Sequence, residues 1–206
     1  MATSSADRSK LQSSMFIFVI GEGKTEFRVH GKNILVLSKP LDALLAREMK
    51  EAQDCRIEWP DVDEGTFVRF SQWISTQDYD PAEPVTETED VNAGYLSALL
   101  PLYVVGDKWL IPKLKQLTLH RLYATLRDFT LYPNRVEDLC VLATYVFDHT
   151  VPGDEMRDLI VMYFACVIDQ VIECDDVATI VDGIPGFAFQ LIKKMASKPK
   201  SLLRGS

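Results

Sequence analysis

The chain has 206 residues, 47% of them hydrophobic and 25% charged, with a net charge of −8. That balance is ordinary for a globular protein that buries its core without disulfides or metal, and the acidic excess opposes non-specific nucleic-acid binding, which needs Lys and Arg to displace counterions. No run approaches the roughly 18 apolar residues of a membrane span, and the polar N-terminus lacks the apolar centre of a signal peptide, so a cytoplasmic or nuclear location is expected.

Residues 1–14 are Ser-rich and expected to be a disordered tail. Phe16-Ile17-Phe18-Val19-Ile20 is a β-branched and aromatic run that reads as a buried strand. Gly21-Glu22-Gly23-Lys24 is turn chemistry, and the alternating Glu26-Phe27-Arg28-Val29-His30 predicts a second strand, paired with the first as a hairpin. His30, at a strand end, is expected to serve as a structural hydrogen-bonding group. A compact apolar stretch, Asn33 to Leu37, precedes Ser38-Lys39-Pro40, which reads as a helix start with Ser38 as cap. Leu41, Leu44, Leu45 and Met49 follow at helical spacing. Arg56-Ile57-Glu58-Trp59 predicts a third strand. Asp63 reads as the N-cap of a helix that places Phe67, Phe70 and Ile74 on one face with Trp73 beside them.

Residues 78–92 carry Asp78, Asp80, Glu83, Glu87, Glu89 and Asp90 with no basic residue, broken by Pro81 and Pro84, and read as a solvated acidic loop. Leu96, Leu99, Leu100, Tyr103 and Val104 then form a helical stripe. Pro112 suits the first turn of a helix with Leu114, Leu117 and Leu122 inside. Beyond residue 124 the pattern is all-helical. Asn134-Arg135-Val136-Glu137 resembles a capping box, Leu159 to Val171 makes a strong stripe, and Pro185 is expected to open a last helix before a loose tail from 197 to 206. The fold class implied is α+β with an all-α C-terminal extension.

The residue patterns argue against catalytic chemistry. Gly21-Glu22-Gly23-Lys24-Thr25 is like the end of a phosphate-binding loop, but Phe18 stands where the first Gly is needed, and a strand follows instead of a helix. There is no G-x-S-x-G and no H-E-x-x-H. Asp61, Asp63 and Glu64 lack calcium-loop spacing, so turn and cap roles are expected of them. Cys55, Cys140, Cys166 and Cys174 form no C-x-x-C pair and have no His at zinc-finger spacing, and they are expected to be buried free thiols. No catalytic residue, cofactor or metal is expected.

The order of these elements, and several words within them, resemble one family. Phe27-Arg28-Val29-His30, followed by a short apolar helix ending at Ser38, is similar to the F-x-V-H-x-x-x-L-x-x-x-S core of BTB/POZ domains. Asp61 to Phe70 resembles the helix that follows the family's third strand. Leu102-Tyr103-Val104-Val105-Gly106-Asp107-Lys108-Trp109 with Ile111-Pro112-Lys113-Leu114-Lys115 resembles its later helix pair. The resemblance covers residues 15–123 and is greatest to the large fungal group of such proteins, whose helical extension residues 124–196 resemble.

What the resemblance implies is a non-catalytic interaction module with protein partners: a homodimer, a cullin scaffold of ubiquitin ligases, or a transcriptional co-regulator. No direct nucleic-acid or membrane contact is expected. The expected partner surface is Leu44, Leu45, Arg47, Glu48 and Met49 with Tyr103, or Phe16 and Phe18 in a strand-exchanged dimer. Three departures bear on the partner. The family's charged pocket residues, an Asp before the first strand and a Lys or Arg after the His, are replaced by Met15 and Gly31. The apolar-x-Glu step of cullin-binding members is replaced by Leu44-Leu45-Ala46.

Overall fold

A computed structural model describes residues 9, 11–51, 55–80, 100–132 and 135–197, with the side chains of residues 48–51 outside that description. The chain is mixed α+β, mostly helical with one small three-stranded sheet. It divides into two compact units. The first holds the described residues up to Asp80 together with Pro101–Thr118, and the second holds Leu100 and the described residues from Leu119 onward.

In the first unit β1 (Met15–Ile20) and β2 (Thr25–His30) pair antiparallel, in a register that sets Met15 opposite His30 and Ile20 opposite Thr25. The turn between them is tight: the Lys24 amide donates to the Gly21 carbonyl at 3.2 Å, with Gly21 at φ 65° and Lys24 at φ 54°. β3 (Arg56–Trp59) then pairs parallel to the other side of β1, giving the order β2-β1-β3. A parallel neighbour needs a crossover, and two helices supply it, α1 (Gly31–Ile34) and α2 (Lys39–Glu51). Ser38 begins α2 as expected, its hydroxyl accepting from the Leu41 amide at 3.3 Å.

α3 (Glu64–Thr76) starts at Asp63, whose carboxylate accepts from the Thr66 amide at 2.9 Å and from the Thr66 hydroxyl at 2.5 Å. The helix places Phe67, Phe70, Trp73 and Ile74 in the core with Phe16, Phe18, Ile20, Leu41, Leu45 and Ile57. α4 (Leu100–Lys108) and α5 (Pro112–Asp128) follow, with Pro112 in the first turn as the sequence predicts.

The sharpest packing constraint is at Gly31. A Cβ there would meet the Leu11 carbonyl oxygen at 2.0 Å and the Phe16 ring at 3.0 Å, and the Gly31 amide donates to the Ser14 carbonyl at 2.9 Å. This corrects the expectation that residues 1–14 are all disordered. Leu11–Ser13 form a helical turn, and Leu11 is buried because it closes the core over Gly31. Residues 1–8 and 10 lie outside the described residues.

The second unit contains α6 (Val136–His149), α7 (Glu155–Val171), α8 (Asp175–Gly183) and α9 (Phe187–Ser197). Phe187 sits at its centre, edge-on to Phe147 at 5.5 Å and to Phe164 at 5.3 Å. Two expectations are corrected here. The last helix starts at Phe187, not Pro185, because Gly186 takes φ 81° and breaks the helical path. α6 is capped by Arg135, which makes no side-chain cap bond; Asn134, the expected cap, lies outside the described residues. Residues 198–206 lie outside them as well.

Candidate interaction groove

β3 alternates: Arg56 and Glu58 are exposed, whereas Ile57 and Trp59 are buried. Trp59 joins an aromatic cluster, edge-on to Phe18 at 5.2 Å and to Phe67 at 5.9 Å. Its outer partner is Trp109, whose indole stacks on it at 5.2 Å with planes 13° apart. Trp109 lies in the turn between α4 and α5, held by the Ile111 amide donating to the Gly106 carbonyl at 2.7 Å and by Leu110 at φ 51°. Gly106 permits the close approach, since a Cβ would meet Lys115 at 3.1 Å.

Around this stack runs a groove of about 470 Å³, lined by Leu44 and Arg47 of α2, Arg56, Ile57, Glu58 and Trp59 of β3, and Lys108 and Trp109. In a chain of net charge −8 the lining carries three cations and one anion. Arg56 pairs with Glu26 at 2.7 Å and Lys108 with Asp61 at 2.6 Å; both pairs are largely solvent-exposed and so weakly held. The hydrogen bond from Lys108 holds the Asp61 carboxyl below the usual range. Both indole N–H groups, of Trp59 and Trp109, are buried without a hydrogen-bond acceptor.

The expected partner residues separate into three groups. Leu44 and Arg47 line the groove. Phe16, Phe18, Leu45 and Tyr103 are buried within the chain's own fold. Phe16, Phe18 and Leu45 belong to the sheet–helix core, and the Lys115 ammonium lies over the Tyr103 ring at 4.7 Å. The side chains of Glu48 and Met49 lie outside the described residues. Trp59, Trp109 and Lys108 were missed as groove residues, although the aromatic ends of the third strand and of the Asp107-Lys108-Trp109 segment were visible.

Asp61, Asp63 and Glu64 do not converge on a common point. Asp61 pairs with Lys108, Asp63 caps α3 and Glu64 accepts from the Thr25 hydroxyl. Desolvation of Asp63 is outweighed by its bonds to Thr66, so its carboxyl too sits below the usual range. Among the described residues no group of His, Cys, Asp and Glu is arranged to hold a metal ion. His30 is exposed at the N-cap of α1 and its side chain makes no cap bond, which corrects the expected hydrogen-bonding role.

In the second unit Arg157 is nearly buried. It donates to the Phe147 carbonyl at 2.6 Å, to the Thr150 hydroxyl at 2.9 Å and to the Thr150 carbonyl, and lies over the Phe147 ring at 4.6 Å. It therefore closes the C-terminus of α6, where unpaired carbonyls collect. All four cysteines are free, but only Cys140 is buried and Cys166 is exposed, correcting the expectation of four buried thiols. Cys166 falls one turn from the exposed Met162 on the outer face of α7.

Among the described residues no helix is long and apolar enough to cross a membrane. No protein-family model matches the chain, and no curated protein matches it significantly.

Proposed function

We propose that the first unit is a BTB/POZ-type domain, that the second is its helical extension, and that the chain acts as a non-catalytic adaptor in the cytoplasm or nucleus. The topology carries this reading. A central β1 has its hairpin partner β2 on one side and, after the crossover through α1 and α2, a parallel β3 on the other, followed by α3. That is the element order the sequence resemblance implies. The groove beside Trp109 adds a solvent-facing site suited to a protein partner. The partners that fit are a second copy of the chain or the N-terminal region of a BTB-binding cullin.

Calorimetric titration against that cullin region, run beside light scattering of the protein alone, tests the proposal. Micromolar or tighter binding makes the chain a ubiquitin-ligase adaptor, and a stable dimer makes it a self-associating scaffold. A monomer that releases no heat would overturn both roles.

A further inference from the structure

α9 is apolar on two sides. Phe187 and Leu191 are buried in the second unit, with Phe187 edge-on to Phe147 and Phe164. The opposite side carries Phe189, Ile192 and Ala196, spaced three and four residues apart and so on one helical face, with Met195 at its edge. Phe189 is 73% exposed, Ile192 65% and Met195 41%. A ring as exposed as that of Phe189 projects from the surface and lines no cleft. The sequence around this face is basic, in a chain whose net charge is −8. From Gly183 onward it holds Lys193, Lys194, Lys198, Lys200 and Arg204 and no Asp or Glu. Lys194 is taken up by Asp158 of α7 at 2.7 Å, and Lys193 is exposed on α9. Chain length alone keeps the next cations close: at about 3.5 Å per residue, Lys198 and Lys200 lie within roughly 11 Å of Ser197.

We infer that α9 and the residues after it rest on an anionic lipid surface, the apolar face entering the headgroup region while the cations meet lipid phosphates and carboxylates. Three observations select this occupant. Phe189 and Ile192 project, so they suit a soft surface that yields around them. The inner side of the helix is committed to the core through Phe187 and Leu191, so a protein that wraps around a basic amphipathic helix finds only one side free. The cations flank the apolar residues with no acid among them, which is the pattern drawn to anionic lipid. The acidic remainder of the chain is repelled by the same surface, so this end alone approaches it. The net charge hides the pattern, because −8 averages a basic end with an acidic remainder; hence the composition led to no expectation of membrane contact. A helix lying in the interface need not span the bilayer. The contact is additional to the adaptor role and independent of it.

The test uses the full chain and co-flotation with vesicles of phosphatidylcholine containing about 30% phosphatidylserine, beside vesicles of phosphatidylcholine alone. Binding to the anionic vesicles only is expected. It should weaken as salt rises from about 0.1 M to about 1 M, over which the screening length falls from about 10 Å to about 3 Å. Phe189→Ser combined with Ile192→Ser should reduce binding tenfold or more. Both positions are exposed, so the thermal unfolding of that variant should match the parent. Lys198→Gln combined with Lys200→Gln, beyond α9, should weaken binding by about tenfold or more while leaving the apolar face intact. No binding to the anionic vesicles, equal binding to both kinds, or binding that survives the Ser pair would each overturn the inference. A dimer in light scattering that the Ser pair abolishes would assign the face to a second copy and overturn it too. The adaptor reading is tested separately, by the cullin titration.

Discussion

The indole of Trp109 lies flat against that of Trp59, centroids 5.2 Å apart and planes 13° from parallel, and so joins the turn after α4 to the last residue of β3. Replacing Trp109 with Ala removes that cover while leaving Trp59 in its cluster. A loss of about 2 kcal/mol is expected, below the range for a fully buried Trp because Trp109 is only half-buried. Urea unfolding measures it, and a change under about 0.5 kcal/mol, the size of an ordinary surface substitution, would mean that the stack contributes little.

Gly31→Ala sets two effects against each other. Helix propensity favours Ala over Gly by about 1 kcal/mol. The added Cβ, however, would stand 2.0 Å from the Leu11 carbonyl oxygen, which is backbone and gives way only if the turn at Leu11–Ser13 moves. Sterics should win, with a net loss of about 2 kcal/mol in chemical denaturation. A variant as stable as the parent would show that the N-terminal turn yields easily.

Asp63→Ala removes the cap of α3 and should cost about 1 kcal/mol at neutral pH. The carboxyl is held below its usual pKa in the folded chain, so its contribution is present above the unfolded value of about 3.9 and fades as pH falls through the folded value. The difference between the two proteins should therefore shrink in acid below about pH 4. Paired denaturation curves at neutral and acid pH measure this, and a difference that stays constant would assign the stabilisation to something other than the ionised carboxylate.

Arg157→Lys keeps the charge but cannot reach the Phe147 carbonyl, the Thr150 carbonyl and the Thr150 hydroxyl together. Arg157→Met leaves all three acceptors without their donor and should destabilise the second unit by about 3 kcal/mol. Lys should recover less than half of that. Thermal unfolding of both variants decides the point, and full rescue by Lys would reduce the role of Arg157 to charge alone.

Thiol labelling should be ordered by environment. Cys166 is exposed and should react first with a maleimide. Cys140 is buried, and desolvation pushes its thiol up to about 12, so almost no thiolate exists near neutral pH and it should react only on unfolding. Mass spectrometry of partially labelled protein reads the order, and early modification of Cys140 would mean that α6 opens readily.

Short-range chemistry made much of the first unit legible in the sequence. The alternation at 26–30 gives β2 its pattern of exposed and half-buried residues, and Ser38, Asp63 and Pro112 mark helix starts because a cap or a ring constraint acts within one turn. What escaped detection depends on neighbours distant in sequence. Whether Leu44 or Leu45 faces solvent is decided by the phase of α2 against the sheet, and adjacent leucines do not reveal it. Cys166 sits in an apolar run, yet the helix turns it outward. The groove was not legible because its lining comes from α2, β3 and the turn after α4, segments distant in sequence. Arg157 sits among apolar residues of α7, but its acceptors belong to the end of another helix.

The placement of β1 between its two partners also bears on how the sheet is assembled. The antiparallel neighbour is reached through one tight turn, whereas the parallel neighbour is reached only after α1 and α2 have been threaded between. Closing the larger loop costs more chain entropy than closing the hairpin, and it is repaid only once the helices dock. The hairpin can thus form from local contacts, while β3 is recruited by tertiary packing through Ile57 and Trp59. In folding kinetics, truncating either of those two side chains should slow the formation of the native sheet more than loosening the turn at Gly21 does.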